Sequence, residues 1–132
     1  MMIKGGCSCG AVRYEIDERL KNLCYCHCES CRRATGAPYV AWGTVGLEHC
    51  HLTGDIDYFS SSEKVSRGFC KACGTSLTYQ HQARPRELDI TLASLDKPEQ
   101  AIPVCHIWVA DKLQSIVIGD DLPQYSGWKS DG

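Results

Sequence analysis

Four of the chain's ten cysteines fall in one stretch of eight residues, CYCHCESC, from Cys24 to Cys31. Thiols at this density leave two architectures open, a disulfide framework or a scaffold tied by metal. At 132 residues the chain is long enough to enclose a core without covalent staples, and one domain over residues 1–132 is expected. The amino terminus, MMIKGGCSCG, has no apolar run before its first cysteines. No later segment approaches the ~18 apolar residues of a membrane span, so no membrane partner is expected. These features predict a cytoplasmic protein, and in a reducing cytoplasm thiols stay unpaired and metal binding becomes the leading use for them.

The spacing supports metal. Seven cysteines cluster as CSC (Cys7, Cys9), CHCESC (Cys26, Cys28, Cys31) and CKAC (Cys70, Cys73), leaving Cys24, Cys50 and Cys105 single. Cysteine used merely as a small buried hydrophobe would be scattered through apolar runs, whereas these clusters sit beside glycine and polar residues. In CKACGT the two-residue gap lets both sulfurs meet one ion, and Gly74 permits the tight turn of a zinc knuckle. All-thiolate tetrahedral sites suit zinc, although iron and iron–sulfur centres use the same ligand type.

A structural zinc takes four protein ligands, and a catalytic one commonly takes three and keeps a position open. CHCESC offers three sulfurs as a local tripod. CSC offers two and must borrow two, most naturally from CKAC. This reading predicts two zinc ions, one closed by Cys7, Cys9, Cys70 and Cys73 and one open on Cys26, Cys28 and Cys31. A competing partition joins Cys28 and Cys31 to Cys70 and Cys73 and leaves Cys7, Cys9 and Cys26 without a role. Cys24 would share a face with Cys26 and Cys28 in an extended strand. It is expected to pack under the site, with Cys50 and Cys105 packing likewise, and His27 is expected to be a satisfied polar residue.

Patterning predicts a mainly β protein of small antiparallel sheets. Alternation in AVRYEID places Val12, Tyr14 and Ile16 on one face, and ELDITLASL does the same with Leu88, Ile90 and Leu92. NLCYC, YVAWGTV, EHCHL, KVSRGF, TSLTYQ and PVCHIWV are further candidate strands. One helical turn is expected from about Glu29 to Thr35, ending at Gly36.

A formal charge of −2 lacks the electrostatic footprint of a general nucleic-acid binder, and no such partner is expected. Arg32 and Arg33 follow the tripod directly, placing at least one of them to clamp a substrate carboxylate, with a surface salt bridge as the alternative. The loop HQARPRE, with His81, Arg84 and Arg86, reads as solvated, with an anion-binding edge as the alternative, and Trp42, Tyr39 and Phe69 as core or pocket wall.

GGCSCGAVRYE, CHCESCRRATGAP, FCKACGTSLTY and HIWV followed by DDLPQY together resemble the glutathione-dependent formaldehyde-activating enzyme family, which includes the centromere protein V group. The resemblance spans nearly the whole chain. It implies the β-tent, Mss-four-like zinc fold, a closed zinc on the CxC and CxxC pairs, and a catalytic zinc on the CxCxxC tripod at Cys26, Cys28 and Cys31. It also implies a carbon–sulfur lyase that joins glutathione to formaldehyde, so the expected partners are a small-molecule thiol and an aldehyde. An open three-thiolate zinc suits activation of an incoming thiol better than hydrolysis. A noncatalytic zinc-stabilised binding module of the same fold is the alternative.

Overall fold

The alternating apolar residues near the amino terminus become strand pairs that close against each other. The computed structural model describes residues 2–129, in which ten strands and one α-helix follow in chain order. They are β1 (Ile3–Gly6), β2 (Arg13–Ile16), β3 (Lys21–Cys26), α1 (Glu29–Thr35), β4 (Val40–Gly46) and β5 (Cys50–Thr53). Then come β6 (Ile56–Ser62), β7 (Val65–Cys70), β8 (Ser76–His81), β9 (Glu87–Thr91) and β10 (His106–Ile107). β1, β2 and β5 form a small antiparallel sheet, and the rest form a seven-stranded sheet in the order β10-β3-β4-β9-β8-β7-β6. Only the β10–β3 edge of that larger sheet is parallel, so the fold is mainly β with one antiparallel and one mixed sheet.

Val12, Tyr14 and Ile16 are all buried, as their alternation predicts, and they meet Leu77, Leu88, Ile90 and Leu92 in the main core between the sheets. β9 is central and buried from Leu88 to Thr91, so Leu88 and Ile90 fill the core on one face while Asp89 and Thr91 are buried on the other. Tyr14 lends its hydroxyl to Ser94 Oγ at 2.6 Å, holding the small sheet to the segment after β9.

The predicted strands and the structure part at three places. β1 and β6 carry no strand signal: IKGG is half glycine, and IDYFSSS is a polar, exposed edge strand. PVCHIWV shortens to the two residues of β10 because Pro103 brings no amide donor and Trp108 turns the backbone left-handed at φ 57°. The helix spans Glu29–Thr35 as expected, capped by Gly36 at φ 71°, whose amide donates to the Arg32 carbonyl.

A second buried cluster of Cys24, Cys26, Cys31, Trp42, Cys105 and Ile107 lies at the β10-β3-β4 end of the large sheet. Register builds the floor beside it. Thr44 on β4 faces Asp89 on β9, Asp89 faces Tyr79 on β8, and Tyr79 faces Arg67 on β7. Directly opposed residues share a face, so these four side chains form one row across the sheet.

Candidate metal centres and the adjoining cavity

The CSC and CKAC segments are turns at the ends of strand pairs in different sheets, the first following β1 and the second joining β7 to β8. Folding brings the sulfurs of Cys7, Cys9, Cys70 and Cys73 within 4.8 Å of one another. Backbone amides turn inward at each: Val12 N–H donates to Cys7 Sγ at 3.2 Å and Cys73 N–H to Cys70 Sγ at 3.4 Å. The Val12 contact lowers the Cys7 pKa, and hydrogen bonds from Thr75 bring the Cys73 thiol down to about 5. Gly74 takes φ 82° with no atom near a would-be Cβ, so conformation alone reserves this turn for glycine.

The second group assembles where β3 runs into α1. The sulfurs of Cys26, Cys28 and Cys31 also lie within 4.8 Å of one another, and among the described residues these two groups are the ones whose geometry could hold an ion. Cys28 is the helix N-cap, its Sγ accepting from Cys31 N–H at 3.4 Å. Cys26 drives the Cys28 thiol far below its ordinary value, and Cys28 in turn drives Cys26 upward. Such mutual displacement marks sulfurs competing for the same charge, which a shared cation would relieve.

Both groups fit zinc in donor chemistry and size. A tetrahedron with Zn–S bonds of about 2.3 Å has edges of about 3.8 Å. The Cys7–Cys9 and Cys9–Cys70 separations are 3.7 and 3.8 Å, and Cys26–Cys31 is 3.7 Å. The split into four and three sulfurs matches the partition argued from spacing, and Cys28 and Cys31 do not group with Cys70 and Cys73.

The three-sulfur group opens on a cavity of about 400 Å³ walled by Trp42, Tyr79, Trp108 and the row residues Thr44 and Asp89. A second chamber of about 650 Å³, lined by Leu23, Val104 and Lys129 among others, shares Cys24, Tyr79 and Arg84 with the first. Cys24 thus lies beside the site and outside the sulfur trio, where burial raises its thiol pKa to about 12.

Several of these residues had no signal of their own in the sequence. Arg67 is buried on β7, its guanidinium 3.7 Å from Cys31 Sγ, 3.0 Å from Ser61 Oγ and stacked over the Tyr79 ring at 4.9 Å. A lone arginine in the strand VSRGFC, three residues before Cys70, was the available hint. Arg32 and Arg33, by contrast, line neither chamber, and Arg33 is 80% exposed and pairs with Glu29 at 3.9 Å. His81 and Arg84, read as a solvated loop, instead line both chambers, while Arg86 is exposed and lines neither. Arg84 is held by Asp89 at 2.9 Å and Glu87 at 3.3 Å.

His27 is fully buried. Its Nε2 lies 2.9 Å from His106 Nδ1, and His106 Nε2 lies 3.0 Å from the Asp120 carboxylate. Asp120, ionised, accepts from His106 Nε2–H, which leaves His106 Nδ1 to accept from His27 Nε2–H. The array ties the tripod strand to the segment after β10, although His27 Nδ1 is left without a partner.

Comparison with known proteins agrees with this layout. A crystal structure of a Rhodobacter sphaeroides protein covers 92% of this chain and 98% of its own with a TM-score of 0.56 at 20% identity, a likeness of fold alone. An uncharacterized lyase of Schizosaccharomyces pombe (strain 972) is 30% identical over 78 residues, 59% of this chain and 57% of the relative, so the chain spans little more than half of that protein's length. The model of the family described as glutathione-dependent formaldehyde-activating enzyme matches residues 2–111, a span that includes both cysteine groups. The chain belongs to that family.

Proposed function

We propose that the chain is a carbon–sulfur lyase that joins a low-molecular-weight thiol, glutathione or a similar one, to formaldehyde or another small aldehyde. One observation carries the reading: one sulfur group has four donors, whereas the other has three and faces a cavity large enough for a small thiol. In this reading Cys7, Cys9, Cys70 and Cys73 hold a structural zinc, and Cys26, Cys28 and Cys31 hold a catalytic one. An ion held by Cys26, Cys28 and Cys31 would supply a Lewis acid that lowers the pKa of an incoming thiol toward the thiolate at neutral pH.

The reaction forms one S–C bond and breaks the carbonyl π bond, and the thiol proton ends on the former aldehyde oxygen. Arg67 offsets the negative charge of the trio from behind Cys31. Tyr79 keeps its phenol proton because burial raises its pKa, and from the cavity wall it is placed to donate toward the developing alkoxide. Trp42 and Trp108 narrow the space and exclude water from the thiolate.

The test is hydroxymethyl-thiol formation followed by NMR exchange, with wild type compared against Cys28→Ser above the uncatalysed background. The expected result is rate enhancement in the wild type that disappears in the variant. Equal rates would instead describe a zinc-stabilised binding module.

A further inference from the structure

The backbone is strained at Trp108, which lines the same cavity as the three sulfurs. Trp108 adopts a left-handed conformation, φ 57° and ψ 37°, rare for a bulky residue and opening a single 3-10 turn, Val109–Asp111. Five amides hold that turn: Trp108 N–H donates to Gly127 O at 2.9 Å, Val109 N–H to Tyr125 O at 3.0 Å, Ala110 N–H to Ser126 O at 3.3 Å, Asp111 N–H to Trp108 O at 3.0 Å and Lys112 N–H to Val109 O at 3.0 Å. Its result is an indole and a carboxylate side by side on the cavity wall. Asp111 Oδ2 accepts from the Glu29 amide at 3.3 Å, so the carboxylate sits against the residue that follows Cys28.

The charge around that point is one-sided. Glu29, Asp89 and Asp111 line the inner chamber against one lining arginine, Arg84, which is already engaged by Asp89 and Glu87. His81 Nδ1 is occupied, accepting the Ala83 amide at 3.0 Å. Lys129 stands in the outer chamber with its ammonium on Asn22 Oδ1 at 2.9 Å. A thiol bearing carboxylates near its sulfur would meet like charge here and no unengaged guanidinium. A cation, by contrast, would meet Asp111 in a chamber whose wall also holds the aromatic side chains Trp108, Trp42 and Tyr79.

We infer that the thiol taken by this cavity carries an ammonium group a few bonds from its sulfur, an aminothiol, and that Trp108 and Asp111 select it. The inference rests on the reading that a substrate sulfur seats beside Cys26, Cys28 and Cys31. Such a thiol meets Asp111 in the same chamber as the trio, where the carboxylate holds the amide that follows Cys28. It enters as a zwitterion and adds no net charge to a site already rich in thiolate and carboxylate.

The test is a binding series on one carbon frame: 2-aminoethanethiol, 2-mercaptoethanol and 3-mercaptopropionate. Each is titrated into the full chain loaded with cobalt(II), and occupancy is read from the sulfur-to-cobalt charge-transfer band. The aminothiol is expected to bind about tenfold more tightly than the carboxylate. Because the three thiols differ in acidity, the deciding quantity is the preference for aminothiol over mercaptoethanol, measured in wild type and in Asp111→Asn. The substitution is expected to shrink that preference about fivefold with metal content unchanged. An unchanged preference, or tighter binding of the carboxylate to wild type, overturns the inference while leaving the thiol site standing. If no thiol perturbs the band, the open-site reading fails, and this inference with it.

Discussion

Arg67 shows how much one side chain can matter here. A guanidinium at 4% exposure is tolerable only with partners, and its partners are a cysteine sulfur, two hydroxyls and the Tyr79 ring. Arg67→Ala removes the cation and leaves its buried sulfur and hydroxyl partners unmet, so a loss of about 3 kcal/mol in denaturant unfolding is expected, together with weaker metal retention at the trio. Arg67→Lys keeps the charge but loses the planar fork and should fall between the two. Tyr79→Phe tests a different role. It keeps the ring against Trp42 and under Arg67, so stability should hardly move, while kcat for thiol addition should fall about 100-fold if the phenol donates to the alkoxide.

At the scale of elements, α1 is seven residues long and too short to persist on propensity alone. Its ends hold it: Cys28 caps the first turn and Gly36 ends the last in the left-handed region. A Cβ at Gly36 would meet nothing within 4 Å, so Gly36→Ala should cost only the conformational penalty, about 1 kcal/mol in chemical denaturation. The small sheet has a different tie. Where β2 ends, the Asp17 carboxylate meets His51 Nε2 at 2.9 Å and His49 Nδ1 at 2.6 Å, bridging to β5 and the turn before it. Hydrogen bonds from His51 and then His49 lower Asp17, and Asp17 raises His49. The depressed carboxylate contributes stability above its unfolded value of 3.8 and loses it as pH falls through the folded one. The raised imidazole contributes fully below its unfolded value of 6.5 and loses its share as pH climbs past the folded one. Asp17→Asn should therefore lower Tm visibly near about pH 5.5 and much less near about pH 9, as followed by thermal melts.

For the whole molecule, the four-sulfur group joins the small sheet's CSC turn to the large sheet's CKAC turn. If it holds zinc, binding free energy of about 10–16 kcal/mol is comparable with the whole stability of a domain this size. Cys70→Ser should then abolish cooperative folding, whereas Cys28→Ser should release one of two ions and keep the β circular dichroism spectrum. Native mass spectrometry of protein purified without chelator gives the ion count directly. A wild-type chain with a single ion under saturating zinc would remove the open site and the chemistry built on it.

What the residues dictate by themselves is local. Cysteine spacing of one or two residues fixes which sulfurs can share an ion. Alternation puts Val12, Tyr14 and Ile16 into one core face, and the left-handed preference of glycine stops α1 at Gly36. Those signals act over a few residues, so the two sulfur groups, the helix and most strands were legible without coordinates. The cavity was not. Its wall draws on a register row from β4, β9 and β8, with Arg67 of β7 continuing the row behind Cys31, and on a turn held by amides bonding across to residues 125–127. Arg67, Tyr79 and Asp89 look ordinary in sequence because a strand residue gains its role from the residue opposite it. Arg32 and Arg33 looked significant because they adjoin Cys31, yet helical geometry turns neighbours away from one another and leaves Arg33 in solvent. Metal-binding capacity is thus encoded by proximity along the chain, whereas the walls that would discriminate among thiols exist only once distant strands come into register.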